Sequence, residues 1–194
     1  MTTGMDGKND RHGEERPQDA SRTTHGVTRL GLYAYALAAA VVILDQLSKF
    51  WVLNGLHLAE RGQIPVLPFF RLTMVMNGGV SFGLLRADTP TGRWLLVAAA
   101  LTVVVCLIAW ARKAERPLFA LALGLVIGGA LGNNLIDRAR IGQVVDFLDF
   151  SGLAFPWVFN VADSAITVGV CLLLLDSFAP APRPRTDPAP DNQA

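Results

Sequence analysis

Charge is what this sequence has little of. Only 17% of its 194 residues are Asp, Glu, Lys or Arg, while 52% are hydrophobic. A soluble domain of this length carries about a quarter charged residues, so the balance points to a chain that spends much of its length in lipid. The formal net charge is +1 and no run of Lys or Arg forms a patch, which argues against a nucleic-acid partner held by a basic field. Cysteine is scarce as well. Cys106 and Cys171 sit in separate apolar runs with no Cys or His at ligand spacing, so neither a disulfide framework nor a zinc site is expected. Both read as small apolar packing residues. His12, His25 and His57 fall in a polar tail or a loop with no metal-site neighbour, and no metal or other cofactor is expected.

Long apolar runs are present instead. Residues 1–29 are charged, rich in Ser and Thr and poor in large apolar side chains, and are expected to form a disordered tail. Residues 31–53 are then apolar except for Asp45-Gln46-Leu47-Ser48-Lys49. The long polar lead and the polar cluster near the far end fit a spanning helix better than a cleaved signal peptide. Residues 94–111, 117–136 and 158–175 approach the roughly twenty residues that a bilayer core requires, and the only charge among them is Asp163. All four tryptophans, Trp51, Trp94, Trp110 and Trp157, lie at run ends, where the membrane interface favours them. Gly124, Gly128 and Gly132 recur every fourth residue and read as a smooth face for a neighbouring helix.

The expected architecture is an all-α membrane protein with four transmembrane helices in a domain over residues 30–178. Between helices 1 and 2 a small extracytoplasmic region is expected to hold short strands, because Val, Leu, Phe and Thr alternate over residues 64–85. Residues 179–194, polar and Pro-rich, read as a second disordered tail. Three basic residues in Arg112-Lys113-Ala114-Glu115-Arg116, with Arg16, Arg22, Arg29, Arg183 and Arg185 in the tails, place both termini in the cytoplasm. Residues 54–92 and 139–157 then lie outside, and the polar ends of all four helices gather at one face.

The chemistry-bearing residues collect at that face. A carboxylate such as Asp163 at the edge of a membrane run is costly, by roughly 2.5 kcal/mol or more at mid-bilayer, and so implies a function and a partner. Asp146 is the partner expected. Two adjacent carboxyls at a low-dielectric edge cannot both ionise easily, so the pair holds one proton and offers an acid and a base together. Taken singly, Asp146 reads as a loop aspartate and Asp163 as a capping acid in a first helical turn. Asp45 and Lys49, four apart, read as an ion pair on one helix face rather than as catalysts. Asn134 and Asp137 share a face, and Arg138 beside them suits an Asp, a substrate carbonyl or a lipid phosphate. Asn160 stands one turn before Asp163, placed to orient a carboxylate or a peptide.

Two competing readings come from the same residues. Gly79-Val80-Ser81-Phe82-Gly83 satisfies G-x-S-x-G, yet a nucleophile elbow needs a strand-turn-helix in a parallel sheet and a later histidine, and no histidine follows His57. Ser81 with Lys49 as a serine-lysine dyad is the remaining nucleophile. A four-helix transporter or proton pathway would use Asp163, but it predicts polar groups at mid-membrane in several helices.

At these residues the chain resembles the lipoprotein signal peptidases, or signal peptidase II, which are membrane aspartic peptidases. Five blocks match in order: Asp45-Gln46-Leu47-Ser48-Lys49; Asn77-Gly78-Gly79-Val80-Ser81-Phe82; residues 132–138; Gly142-Gln143-Val144-Val145-Asp146-Phe147; and Phe159-Asn160-Val161-Ala162-Asp163. The resemblance implies that Asp146 and Asp163 are the catalytic pair. It implies that Asn77, Asn134, Arg138 and Asn160 position substrate and support the pair, with Asp45, Lys49 and Asp137 structural near the site. The family's Gly-Asn-x-x-Asp-Arg reads here Gly132-Asn133-Asn134-Leu135-Ile136-Asp137-Arg138, one Asn too many; either Asn133 or Asn134 can be the family's asparagine, and counting back from Asp137 favours Asn134. The implied substrate is a bacterial prolipoprotein carrying diacylglycerol on its lipobox cysteine, cut just before that cysteine at the extracytoplasmic face of the plasma membrane. The implied partners are that substrate and membrane lipids, the implied state is a monomer, and globomycin is the implied inhibitor.

Overall fold

The computed structural model describes residues 26–79 and 89–178. Ser81, most of the first expected tail (residues 1–25) and all of the second lie outside these residues.

Among the described residues, three helices are long and apolar enough to cross a membrane. The first, α1 (Arg29–Phe50), begins at Thr28, whose hydroxyl accepts the Gly31 N–H at 3.0 Å, and it runs on as a π turn over Trp51–Gly55. A short helix, α2 (Leu58–Arg61), follows. The second long helix, α3 (Pro90–Ala111), is capped by Thr89 and carries Pro in its first turn, where no backbone donor is needed. The third, α4 (Pro117–Ala130), passes through a π-helical stretch, Leu131–Asp137, into α5 (Arg138–Ile141). A further apolar helix, α6 (Val161–Ser177), has 17 residues, which is about 25 Å of rise. It starts later than its apolar run because residues 158–159 join a sheet and Asn160 caps the helix.

Small residues place α4 between α1 and α6. A Cβ on Gly124 or Gly128 would stand 2.7 Å from the carbonyl oxygens of Ala34 or Ala38 on α1, and one on Gly169 of α6 would stand 2.6 Å from Val126. Backbones this close leave no room for a side chain. Gly132 departs from the packing role expected of it. Its missing Cβ would lie 2.8 Å from the Asp45 carboxylate, so it makes room for a polar group instead.

The ends of the helices sort by chemistry. At one end Thr28 donates its N–H to the Arg112 carbonyl at 3.0 Å and its hydroxyl to that of Ala114 at 2.8 Å, and Arg116 pairs with Asp176 of α6 at 2.9 Å. The opposite end buries Asp45, Lys49, Asn133, Asp137 and Asn160.

A four-stranded antiparallel sheet covers that opposite end, in the order β1 (Gln63–Leu67), β2 (Phe70–Asn77), β3 (Val144–Asp149), β4 (Val158–Phe159). The expected strand-bearing region between helices 1 and 2 supplies only half of it. The rest comes from residues 144–149, read from sequence as part of an outer loop, and residues 158–159, read as the start of the fourth span. In β3 every residue but one is buried, so its Val-Val-Asp-Phe-Leu-Asp run lacks the apolar-polar alternation of a one-sided strand. Leu72, Val145 and Phe147 pack the sheet against Val52 and Leu58. Gly142, at φ +83°, ends α5 in the left-handed region and lets β3 start two residues later. Asp149 stitches the sheet: it accepts the Thr73 hydroxyl at 2.6 Å and the Ser151 N–H at 2.8 Å, with Arg71 at 3.4 Å. Hydrogen bonds from Ser151 and Thr73 hold its carboxyl at about 2.

Two outcomes follow from this packing. Gly128→Ala is expected to destabilise the protein by about 1–3 kcal/mol through overpacking, measurable by unfolding in detergent. Because the Asp149 carboxyl is held down in the folded state, its ionised form stabilises above the ordinary carboxylate pKa of about 3.9, and the contribution is lost as pH falls toward 2. Asp149→Asn should therefore lower the unfolding temperature at neutral pH, with the difference from wild type closing in acid.

Candidate active site

The two aspartates meet where β3 passes the start of α6. Asn160 is the N-cap of α6, and its Oδ1 accepts the Asp163 N–H at 2.9 Å. Asp163 answers by accepting the Asn160 N–H on Oδ2 at 3.1 Å, which completes a capping box. The helix-capping geometry of Asp163 is thus real, and it leaves Oδ1 for a second partner. That partner is Asn133, whose Nδ2 donates at 2.7 Å. Asp146 lies opposite Val75 in the sheet and is 1% exposed. Its Oδ1 accepts Asn160 Nδ2 at 2.7 Å, and its Oδ2 accepts Nδ2 of Asn77, the last residue of β2, at 3.0 Å. Asn160 therefore donates to both carboxyls, through its backbone to one and its side chain to the other.

Burial pushes the Asp146 carboxyl up to about 6, and the nearby Asp163 charge adds to the shift. Hydrogen bonds from Asn77 and Asn160 and the Lys49 charge work the other way, chiefly the Asn77 bond. A carboxyl poised there exchanges its proton near neutral pH, as a general acid or base must.

Behind the pair stands a buried ammonium. Lys49, 3% exposed, lies 2.7 Å from each of Asp45 Oδ2, Asn133 Oδ1 and Asp137 Oδ2, so all three of its N–H donors are used. Asp45 spends its other oxygen on the Ala162 N–H at 3.0 Å, which ties α1 to the first turn of α6. Asp137 accepts Gln46 Nε2 at 2.8 Å and the Val145 N–H at 3.4 Å, which ties it to α1 and to β3. The Lys49 nitrogen that a serine-lysine dyad would need as its base is committed to three acceptors, and Ser81 lies outside the described residues. Arg138 is buried and donates Nη1 to the Gly78 carbonyl at 3.3 Å, bracing the chain just after Asn77.

Of the two neighbouring asparagines, Asn133 is the one bonded into the site. Counting back from Asp137 along a regular α-helix lands on Asn134, but residues 131–137 are π-helical, and a π turn absorbs one extra residue. Gly132 and Asn133 thus keep the register of α4, while Asp137 and Arg138 keep that of α5. Asn133 bonds to Lys49, Asp163 and Asn160, whereas the Asn134 side chain makes no hydrogen bond to another described residue. The signal was present in the sequence as a one-residue surplus inside a helical block. Gln46 is the other participant that sequence reasoning left without a role.

The family profile described as "Signal peptidase (SPase) II" matches residues 37–179. The chain is 58% identical to a lipoprotein signal peptidase of Caulobacter vibrioides, over 78% of this chain and 90% of that protein. It is 49% identical to one of Methylorubrum extorquens, over 77% and 88%. Among solved structures it is similar to a bacterial membrane enzyme determined by the in meso method at 2.3 Å, with TM-score 0.65 and 27% identity, covering 84% of this chain and 99% of that one. A second such enzyme, at 1.9 Å, gives TM-score 0.64 and 30% identity over 81% and 99%.

The π-turn register predicts a sharp contrast between neighbours. Asn133→Ala is expected to lower the reaction rate by about 100-fold, the scale of a misplaced catalytic group, while Asn134→Ala stays near wild type. Steady-state rates of the two purified variants check it.

Proposed function

The chain belongs to the signal peptidase II family, and from that footing we propose that Asp146 and Asp163 are its catalytic carboxyls. The protein is an aspartic peptidase of the cell membrane that removes signal peptides from prolipoproteins. The observation that carries the residue assignment is Asn160, which donates one hydrogen bond to each aspartate and so makes a single site of them. The transport reading of Asp163 gives way to this one.

Paired carboxyls sharing one proton can run the hydrolysis unaided. The ionised member takes a proton from a water between them as its oxygen attacks the scissile carbonyl. The protonated member donates to the carbonyl oxygen, giving a gem-diol. Collapse breaks the C–N bond, with the proton passing to the leaving amine and the shared proton returning to the pair. Asn77, Asn133 and Asn160 hold the carboxyls in register, and Arg138 supports the segment at Gly78 along which an extended peptide would lie. The position-supporting role assigned by counting to Asn134 belongs on this reading to Asn133.

The finer expectations join the same proposal. Helix α6 serves as a fourth span, short but within the range that spanning helices use. The cytoplasmic side is the end holding Thr28, residues 112–116 and Asp176, a placement favoured by the basic residues there. The active site then faces outward, and residues 30–178 form the peptidase domain, acting as a monomer. The substrate carries diacylglycerol on the cysteine after the cut, so its lipid stays in the bilayer while the peptide reaches the carboxyls.

A gel-shift assay of purified protein with a diacylglyceryl-modified prolipoprotein tests the assignment. Asp146→Asn and Asp163→Asn are each expected to reduce cleavage by at least about 100-fold, the scale of lost acid-base catalysis. Ser81→Ala and removal of residues 1–25 should leave it intact. Normal cleavage by either Asn variant would sink the aspartate pair, and loss confined to Ser81→Ala would install the serine-lysine dyad.

A further inference from the structure

A cleft lined by none of Asp146, Asp163, Asn77 and Asn160 opens beside Lys49, with a volume of about 380 Å³. Leu47, Phe50 and Leu53 wall one side, Ile136 and Ile141 the other. Lys49 and Asp137 also line it, and their charges already answer each other at 2.7 Å. The walls are open: Leu47, Phe50 and Ile141 are 60%, 65% and 51% exposed. On a helix that crosses a bilayer, such side chains meet acyl chains.

What distinguishes this cleft from an ordinary lipid-facing groove is its rim. Arg140 lines the cleft one residue before the end of the membrane-length helix Pro117–Ile141, and the end of a spanning helix is where headgroups lie. It is exposed, and among the described residues it has no ion pair and no side-chain hydrogen bond. Asn54, also exposed, lines the cleft on the α1 side. An apolar trough that ends in a guanidinium without an acidic partner among the described residues has the polarity of a phospholipid, with a chain below and a phosphate above. A guanidinium suits phosphate better than an ammonium because its donors form a planar fork, and anionic headgroups are drawn to basic residues at this depth.

We propose that this cleft binds an anionic phospholipid, with the lipid phosphate on Arg140 and one acyl chain between the Leu47/Phe50 wall and the Ile136/Ile141 wall. The occupant is not the substrate's lipid, because a diacylglyceryl cysteine has no phosphate for Arg140. The assignment stands independently of which residues catalyse. It also gives the lipid a neighbour of consequence, because Lys49 and Asp137 belong to the network that holds Asn133.

Native mass spectrometry of the full chain, released from phosphatidylcholine nanodiscs doped with phosphatidylglycerol, tests the site. Wild type is expected to retain phosphatidylglycerol in preference to phosphatidylcholine. Arg140→Gln should lose that preference, and Leu47→Trp, which fills the trough, should lose the retained lipid. Preserved prolipoprotein cleavage by both variants would show that they fold. Unchanged retention by Arg140→Gln, or equal retention of both lipids by wild type, would overturn the proposal. So would equal retention of dioleoylglycerol, which would make the trough a site for uncharged diacyl chains. Inorganic phosphate binding in detergent that Arg140→Gln abolishes and Leu47→Trp leaves alone would reduce it to an anion site and overturn the lipid.

Discussion

The buried ammonium of Lys49 is the interaction on which the rest of the site depends. An unpaired charge taken out of water costs several kcal/mol, and removing one partner of a buried pair costs about 3–5 kcal/mol. Here the charge is met by two carboxylates and an amide oxygen, from Asp45, Asp137 and Asn133. Each acceptor has a second task. Asp45 fixes the first turn of α6 through the Ala162 N–H, Asp137 reaches β3 through the Val145 N–H, and Asn133 turns its other face to Asp163. One cation thus sets the relation between the two elements that carry the aspartates.

Regular structure gives way near this cluster, for identifiable reasons. A π turn follows Lys49 by two residues, and a second holds Asn133 and Asp137. Such turns are frequent at functional sites because they re-aim side chains that an α-helix would point elsewhere. Gly132 supplies the space for the Asp45 carboxylate, and Asn160 ends the extended chain and starts α6 in one residue. The high proton affinity of Asp146 is the consequence of enclosure. Its two amide donors and the Lys49 charge lower its pKa without outweighing burial, which leaves a carboxyl near 6.

Much of this was legible in the chain, and what was not had physical causes. The long helices announce themselves as apolar runs flanked by Thr, Pro and Trp. The carboxylates stood out because charge is so rare there. Asp45 and Lys49 were readable as a pair from their spacing. Strand β3 was not readable, because burial on both faces erases alternation and its partner β2 lies some seventy residues away in the sequence. The choice between Asn133 and Asn134 leaned to Asn134 for a different reason: counting along a helix presumes a constant number of residues per turn. The start of α6 was set by a cap and a sheet contact, neither of which hydropathy registers. Gly132 belonged by spacing to a packing stripe and by environment to the polar site.

The central claim is that enclosure makes these carboxyls one site with a proton held near neutrality. Carbon-13 NMR of protein labelled at Asp side chains, titrated in detergent, measures it most directly. The account predicts a carboxyl with a midpoint near 6 that vanishes in Asp146→Asn. If every labelled carboxyl titrates near the ordinary value of about 4, or if the signal near 6 survives that substitution, the account is contradicted.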